Sequence, residues 1–549
     1  MSKKKSINQT KKFKFQQYQE IGSPDAETDN LLLNAFIEND ALKALIDMNN
    51  QRSIVIGRTG SGKSAILRYI ENSQEKVIRI EPEAMSLRFL SNSTILNYFR
   101  AIDVNLNFFY KILWKHVFVI ELLKLYFRDD QQKKQNWFNN IIEKLNGKKG
   151  NAKREKAIKY LETCSNDFWL DTEKRIKEIE SSVQKKFTDE IGVDLKSLVF
   201  KSNANNSSED KTVSEIKNKA EHVISEVLAE EIHDIINILR DEIFVDSQRK
   251  HFIIVDDLDK EWVPTNIRYD MIGAMIEVIK EFQVFKGAKI IISLRDNLYQ
   301  LIFAGFKHNG GQREKFKPLY VELQWTSEEL NLLLEKRLDI ISENTLSVKE
   351  AFEKIYNKHA KGLTGFEYML ERTFYRPRDV ISYVNHTIEN SNNKSHFTLD
   401  IIKKAEISYS VDRLQAIEDE WGENYGNIRE IYKFLEAKYN GFNVRNIKED
   451  EFINIYFSEE LEKKFRGDLL LIIQKWKSDE TKFNSFLKEL LFLLYLIGII
   501  GIKKGPTAPV QFFFDKTYAL TKNEISNDSK IYVHKAFYSA LRINTKELE

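Results

Sequence analysis

Residues Ser53 to Ile56 have strand character and run directly into Gly57-Arg58-Thr59-Gly60-Ser61-Gly62-Lys63-Ser64, after which Ala65 to Ile70 reads as a helix. Strand, glycine-rich turn and helix in this order leave few folds open. The glycines let the turn curl so that successive backbone N–H groups face inward, and the helix N-terminus adds its own unsatisfied donors. Such a cradle suits a phosphate chain. Gly57, Arg58, Thr59, Gly60, Ser61, Gly62, Lys63, Ser64 and Ala65 are therefore expected to bind the phosphates of ATP, with Lys63 reaching the β and γ groups and the Ser64 hydroxyl serving Mg²⁺. An ordinary glycine turn gives no reason for Lys-Ser at the first helical positions.

A second segment completes the chemistry. His251-Phe252-Ile253-Ile254-Val255 is an apolar strand that ends in Asp256-Asp257-Leu258-Asp259. Ligands gather at the carboxyl ends of parallel strands, so Asp256 is expected to hold Mg²⁺ through water and Asp257 to polarise an attacking water. Paired aspartates after a strand often form a solvated turn, but the loop at residues 57 to 64 favours the catalytic reading. Gly287 to Asp296 gives a further buried strand ending in Ser293-Leu294-Arg295, and Leu319 to Leu323 the last one. In nucleotide-binding sheets with an extra strand between these two motifs, that end faces the γ-phosphate. Arg295 is favoured over Ser293 as its sensor, because a guanidinium bridges phosphate oxygens and carboxylates; the alternative is a structural pair with Asp257 or Asp259.

Lys63 and Asp256 are 193 residues apart, where two β-α units would take about 60. The expected organisation is a basic mobile tail at 1–20, the first part of an α/β ATPase core at 21–91, and a helical insertion with a projecting hairpin at 92–250. The second part of the core follows at 251–326, then a helical lid at 327–410 and a C-terminal helical, winged-helix-like region at 411–549. In the lid, Tyr375-Arg376-Pro377-Arg378-Asp379 opens a helix with proline. Arg378 is the preferred residue to reach the nucleotide, with Arg376 close behind and a plain salt bridge as the alternative.

Charge and composition narrow the classes. Charged residues make up 30% of the 549, the net charge is only +2, and Cys164 is the single cysteine, so no intrachain disulfide can form. The lysine-rich start has no apolar signal stretch, and the apolar runs at 112–127 and 490–502 are too short or too interrupted to span a bilayer. A cytoplasmic location without membrane attachment is expected. The histidines are scattered and suggest no nuclease centre.

Together with Trp325 after the fifth strand and Arg376-Pro377-Arg378-Asp379, the two phosphate-site motifs resemble AAA-related P-loop ATPases of the STAND and KAP type. More narrowly, Ile21-Gly22-Ser23 with Ala26, Glu27 and Asp29, and Val255 to Trp262, look like a bacterial family whose role is mostly unassigned. The resemblance implies ATP and Mg²⁺ as cofactors, Asp256 and Asp257 as the Walker B pair, and Arg295 and Arg378 as sensors. It implies an ATP-hydrolysing switch or motor in an anti-phage defence assembly, working as a homo-oligomer with a second protein encoded nearby. Two alternatives stand: a DNA-processing ATPase of initiator or transposition-helper type, and a scaffold that binds ATP without hydrolysis beside a nuclease or toxin. Nucleic acid stays open as a partner. The chain departs from the typical pattern in having neither a repeat domain nor a membrane insertion.

Overall fold

The computed structural model describes residues 13–85, 104–127, 235–296, 313–352, 363–515 and 520–545, with isolated positions between these stretches. It divides into two compact units, one made of Glu38–Arg58 and Gly62–Leu323, the other of Met1–Ile37, Thr59–Ser61 and Gln324–Glu549. Most of the projecting hairpin expected within 92–250 lies outside the described residues, as does most of the lysine-rich start.

The first unit is built on a five-stranded parallel sheet in the order β2-β3-β4-β1-β5. Its strands are β1 (Ile54–Gly57), β2 (Val77–Ile80), β3 (His251–Val255), β4 (Ala288–Arg295) and β5 (Tyr320–Glu322). This is the P-loop NTPase arrangement in which β4 separates β1 from β3, as the spacing of motifs predicts. The central strands are apolar along their whole length because helices cover both faces, and every residue of β1 and β3 is buried. Pairing of β1 with β4 sets Val55 beside Ser293 and Gly57 beside Arg295.

Helices α1 (Asp40–Ile46), α2 (Lys63–Ser73), α3 (Asn107–Phe127) and α4 (Thr265–Glu281) surround the sheet. Met271, Ile272, Met275, Ile276 and Ile279 of α4 are all buried, and α3 packs along that helix. The Trp114 indole of α3 donates to the Met271 carbonyl at 2.9 Å, and its ring meets Trp262 edge-on at 6.2 Å. The start of the long stretch between the two phosphate motifs is thus part of this unit's own core.

Lys289 is a cation inside this apolar unit. Its side chain leaves β4 and donates to the carbonyls of Ala44, Asp47 and Asn50 at 3.0, 2.8 and 2.8 Å, tying down the end of α1 and the turn into β1. Burial lowers its pKa to about 7, with Asp47 opposing the shift. Three carbonyls match the three protons of the ammonium form.

The second unit contains α5 (Ser327–Ser342), α6 (Pro377–Glu389), α7 (Leu399–Tyr425), α8 (Gly467–Lys477) and α9 (Phe483–Ile497). The capping box that opens α5 uses Thr326 with Glu329. Helix α7 serves two cores: Ile402, Ala405 and Tyr409 pack with α5 and α6, and Ile417 packs with α8 and α9. Phe15 is fully buried in the first of these, stacked on Phe397 at 4.3 Å, although the sequence suggests a tail to residue 20.

The C-terminal part ends in a three-stranded antiparallel sheet, order β6-β8-β7, from β6 (Phe442–Asn443), β7 (Ile500–Lys503) and β8 (Lys530–Val533). Helix α9 followed by a hairpin of this order is the winged-helix-like pattern expected, with one correction. The sequence over 490–514 reads as a helix to Lys504, a turn at 505–509 and a strand at 510–514, but the strand after α9 is Ile500–Lys503, because Gly498 at φ 87° ends the helix in a left-handed cap. Among the described residues no helix is long and apolar enough to cross a membrane.

Lys289→Met should lower the stability of the sheet unit by about 1–3 kcal/mol, since three part-buried carbonyls lose their donor. Chemical denaturation checks this; an unchanged midpoint would mean the carbonyls find other partners.

Candidate nucleotide-binding site

In the sheet unit, Gly57 ends β1 and α2 begins at Lys63, with Gly62 as its N-cap at φ 94°. Glycine is needed there, because a residue with a Cβ is strained in that region. Lys63 is buried, and its ammonium donates to the carbonyls of Gly57 at 2.9 Å and Arg58 at 3.1 Å. A buried ammonium must be satisfied, and here the loop's own backbone does it. Ser64 follows on the first turn of α2, and Ala65 after it.

Asp256 leaves the end of β3 nearly buried. Its Oδ1 accepts from the Ser293 hydroxyl, which β4 brings alongside, and its Oδ2 accepts from Arg79 Nη1 at 3.2 Å. Arg79 stands on β2, paired in register with Ile254, and its Nε and Nη2 donate to Glu71 of α2 at 2.5 and 3.1 Å. Burial works against the Arg79 charge, but the two carboxylates more than offset it and hold the guanidinium protonated. Asp257 adopts φ 57°, and its carboxylate pairs with Lys260 at 3.0 Å. Arg295 pairs with Asp259 at 2.6 Å, the structural partner foreseen as the alternative to sensing. The turn after β3 is closed by the Trp262 indole, which donates to the Leu258 carbonyl at 3.1 Å.

In the second unit, the loop tip Thr59–Ser61 packs with the residues around α6. Arg376 Nη1 donates to the Thr59 carbonyl at 2.5 Å, the Arg378 N–H to the Gly60 carbonyl at 3.3 Å, and the Trp325 indole to the Ser61 carbonyl at 2.8 Å. Arg376 is itself held by Asp379 through Nε at 3.1 Å and Nη2 at 3.4 Å. Arg413 of α7 donates to the same carboxylate at 2.8 Å. Burial pushes the Asp379 carboxyl up, but Arg376, Arg413 and the Phe374 N–H bring it down to about 2. The Arg378 side chain lies over Gly60 and donates to the Pro24 carbonyl at 3.2 Å, with Asp25 at 3.8 Å. Burial makes its charge less favourable than usual, Asp25 opposing.

A phosphate group fits the loop's donor set. The hydroxyls of Thr59 and Ser61 are buried without a hydrogen-bond partner among the described residues, which leaves donors for an anion. Ser64 and Asp256 are the residues that would hold Mg²⁺. The arrangement places both sequence-predicted carboxylates and Arg295 at the carboxyl ends of neighbouring strands. Within the sheet unit Arg79 joins this group without having been assigned by the sequence reading; Trp325, equally unassigned, holds the Ser61 carbonyl in the second unit.

Comparison with known proteins finds three similarities. Residues 328–418 match the FunZ-associated C-terminal helical domain, a span that includes Arg376, Arg378, Asp379 and Arg413. The chain is 23% identical over 546 residues to an Escherichia coli (strain K12) protein described as "Putative transposon gamma-delta 80.3 kDa protein", covering 96% of this chain and 68% of that one. A solved Walker-type ATPase of Pyrococcus abyssi is similar over 92% of this chain and 96% of that chain, with 12% identity and a TM-score of 0.35. None of these singles out the STAND or KAP type.

At Gly60 a Cβ would lie 2.7 Å from Arg378 Cβ and 2.9 Å from Arg378 Cδ, and φ is 79°. Gly60→Ala should therefore distort the loop tip and weaken ATP binding about tenfold or more, with thermal unfolding little changed. Equal affinity by calorimetry would show that the tip does not shape the site.

Proposed function

We propose that this chain is a Mg²⁺-dependent ATP-binding and ATP-hydrolysing switch of the DNA-processing, transposition-helper type. The observation that carries the nucleotide reading is the glycine loop between β1 and α2, with a buried Lys63 and orphaned Thr59 and Ser61 hydroxyls. The transposition reading is supported by similarity along 96% of the chain to a protein described as transposon-borne. The anti-phage reading rests on the sequence resemblance alone.

When bound, Mg²⁺ would neutralise charge on the β and γ phosphate oxygens. Lys63 would exchange the Gly57 and Arg58 carbonyls for phosphate oxygens, and Ser64 with Asp256 would hold the metal. Asp256 is aimed by Ser293 and Arg79 and keeps its charge in one place. Asp257 orients water and takes its proton, once it lets go of Lys260. Arg295, next to Gly57 in the sheet, reports the γ-phosphate by leaving Asp259.

Lys63→Ala should sharply weaken ATP binding in Mg²⁺, and unchanged calorimetric affinity would contradict the assignment. Asp256→Ala should weaken Mg²⁺-dependent binding and hydrolysis together, whereas Asp257→Asn should keep binding and lower turnover by about 10² or more. If wild type releases no phosphate above the Asp257→Asn background with DNA and Mg²⁺ supplied, the ATP-binding scaffold is the better description. Turnover stimulated by DNA, and lost steeply as salt rises, is expected of a DNA-processing ATPase; turnover indifferent to DNA would speak against that class.

A further inference from the structure

Thr59, Gly60 and Ser61 are consecutive, and each carbonyl accepts a hydrogen bond from a different donor: Arg376 Nη1, the Arg378 N–H and the Trp325 indole. A trans peptide points its C=O and the following N–H in opposite directions. Fixing the carbonyls of 59, 60 and 61 therefore fixes the N–H groups of Gly60, Ser61 and Gly62 on the other side, where a phosphate would be received. The donors thus set the direction in which the loop presents its own.

Arg376 is the best anchored of the three. It is 4% exposed and Asp379 fully buried, and the carboxylate is shared with Arg413 and with the Phe374 N–H at 2.9 Å. The guanidinium also lies over the Phe374 ring, 4.8 Å from its centre. The same ring stacks on His534, 4.4 Å away and inclined by 16°. His534 directly follows β8, and Phe514 and Phe537 complete the aromatic group around Phe374 at 5.3 and 5.7 Å. Arg413 adds a second path, since one turn further along α7 Ile417 is buried in the C-terminal core. A buried ion pair that served packing alone would need neither the Thr59 carbonyl nor a ring shared with the C-terminal sheet.

We propose that Trp325 and Arg376 are positioning residues for the phosphate loop, and that Phe374 and Asp379 couple Arg376 to the C-terminal sheet, so that the state of that sheet sets nucleotide affinity. This rests on the nucleotide reading above and extends it: Arg376 acts on the loop's backbone and not on the γ-phosphate. By thermodynamic reciprocity, nucleotide binding must then alter the C-terminal sheet.

The experiment uses the full chain with Mg²⁺ and ATPγS, measuring affinity by calorimetry and amide hydrogen exchange over residues 498–504 and 530–537. Trp325→Phe keeps the ring and deletes the N–H, and should weaken binding about five- to tenfold. Wild type should show nucleotide-dependent exchange in the two C-terminal segments. Phe374→Leu should still bind but lose that dependence, and Phe374→Tyr, which keeps the ring, should restore it. Thermal unfolding confirms that each variant is folded; if Phe374→Leu is not, Trp325→Phe and the wild-type exchange decide. A wild type that binds no nucleotide overturns the nucleotide reading and this proposal with it. A wild type that binds, with Trp325→Phe equally tight or with no exchange response at 530–537, overturns the proposal alone.

Discussion

The pairing of β1 between β4 and β5 is the constraint on which the candidate site depends. Because the strands are parallel, their carboxyl ends fall at one edge, and everything chemically distinctive in the sheet unit leaves from there: Gly57 from β1, Arg295 from β4, Asp256 from β3. Val55 lies beside Ser293 and Gly57 beside Arg295, so a one-residue slip of β1 would turn its side chains to the opposite face and misplace Gly57 against Arg295.

Around that edge, charge is arranged in closed groups. Asp256 is held by Ser293 and Arg79, and Arg79 in turn by Glu71; Asp257 is matched by Lys260 and Arg295 by Asp259. Lys63 uses the carbonyls of its own loop. Each group is satisfied where it stands, which is what burial of charge demands. The half-buried pairs, Asp257 with Lys260 and Arg295 with Asp259, cost less to open than the fully buried group around Asp379. The buried group around Asp379 is of a different kind, as separating it would leave a carboxylate uncompensated in an apolar core.

Much of this was legible in the sequence where local pattern carries the information. The glycine spacing at 57 to 62 and the apolar runs ending in Asp256 and Arg295 place three strands and their order. Gly498 was an equally local signal: read as a helix stop, it gives β7 its correct start. Arg79 was not legible, because its partner Asp256 lies 177 positions away and only the parallel pairing of β2 with β3 brings them together. The roles of Arg376 and Arg378 could not be separated either. Both flank Pro377, and the choice is made by Asp379 at i+3 and by Arg413 from another helix. Trp325 carried no signal beyond its position after β5, since an indole N–H has no sequence pattern that names its acceptor.

The account stands on the claim that the loop from Gly57 to Ala65 receives the phosphates of ATP. A structure determined with Mg²⁺ and a non-hydrolysable ATP analogue tests it most directly. The prediction is that Lys63 Nζ leaves the Gly57 and Arg58 carbonyls for phosphate oxygens and that the Thr59 and Ser61 hydroxyls gain partners. Nucleotide bound elsewhere, or Lys63 still on the loop carbonyls beside a bound analogue, would contradict it.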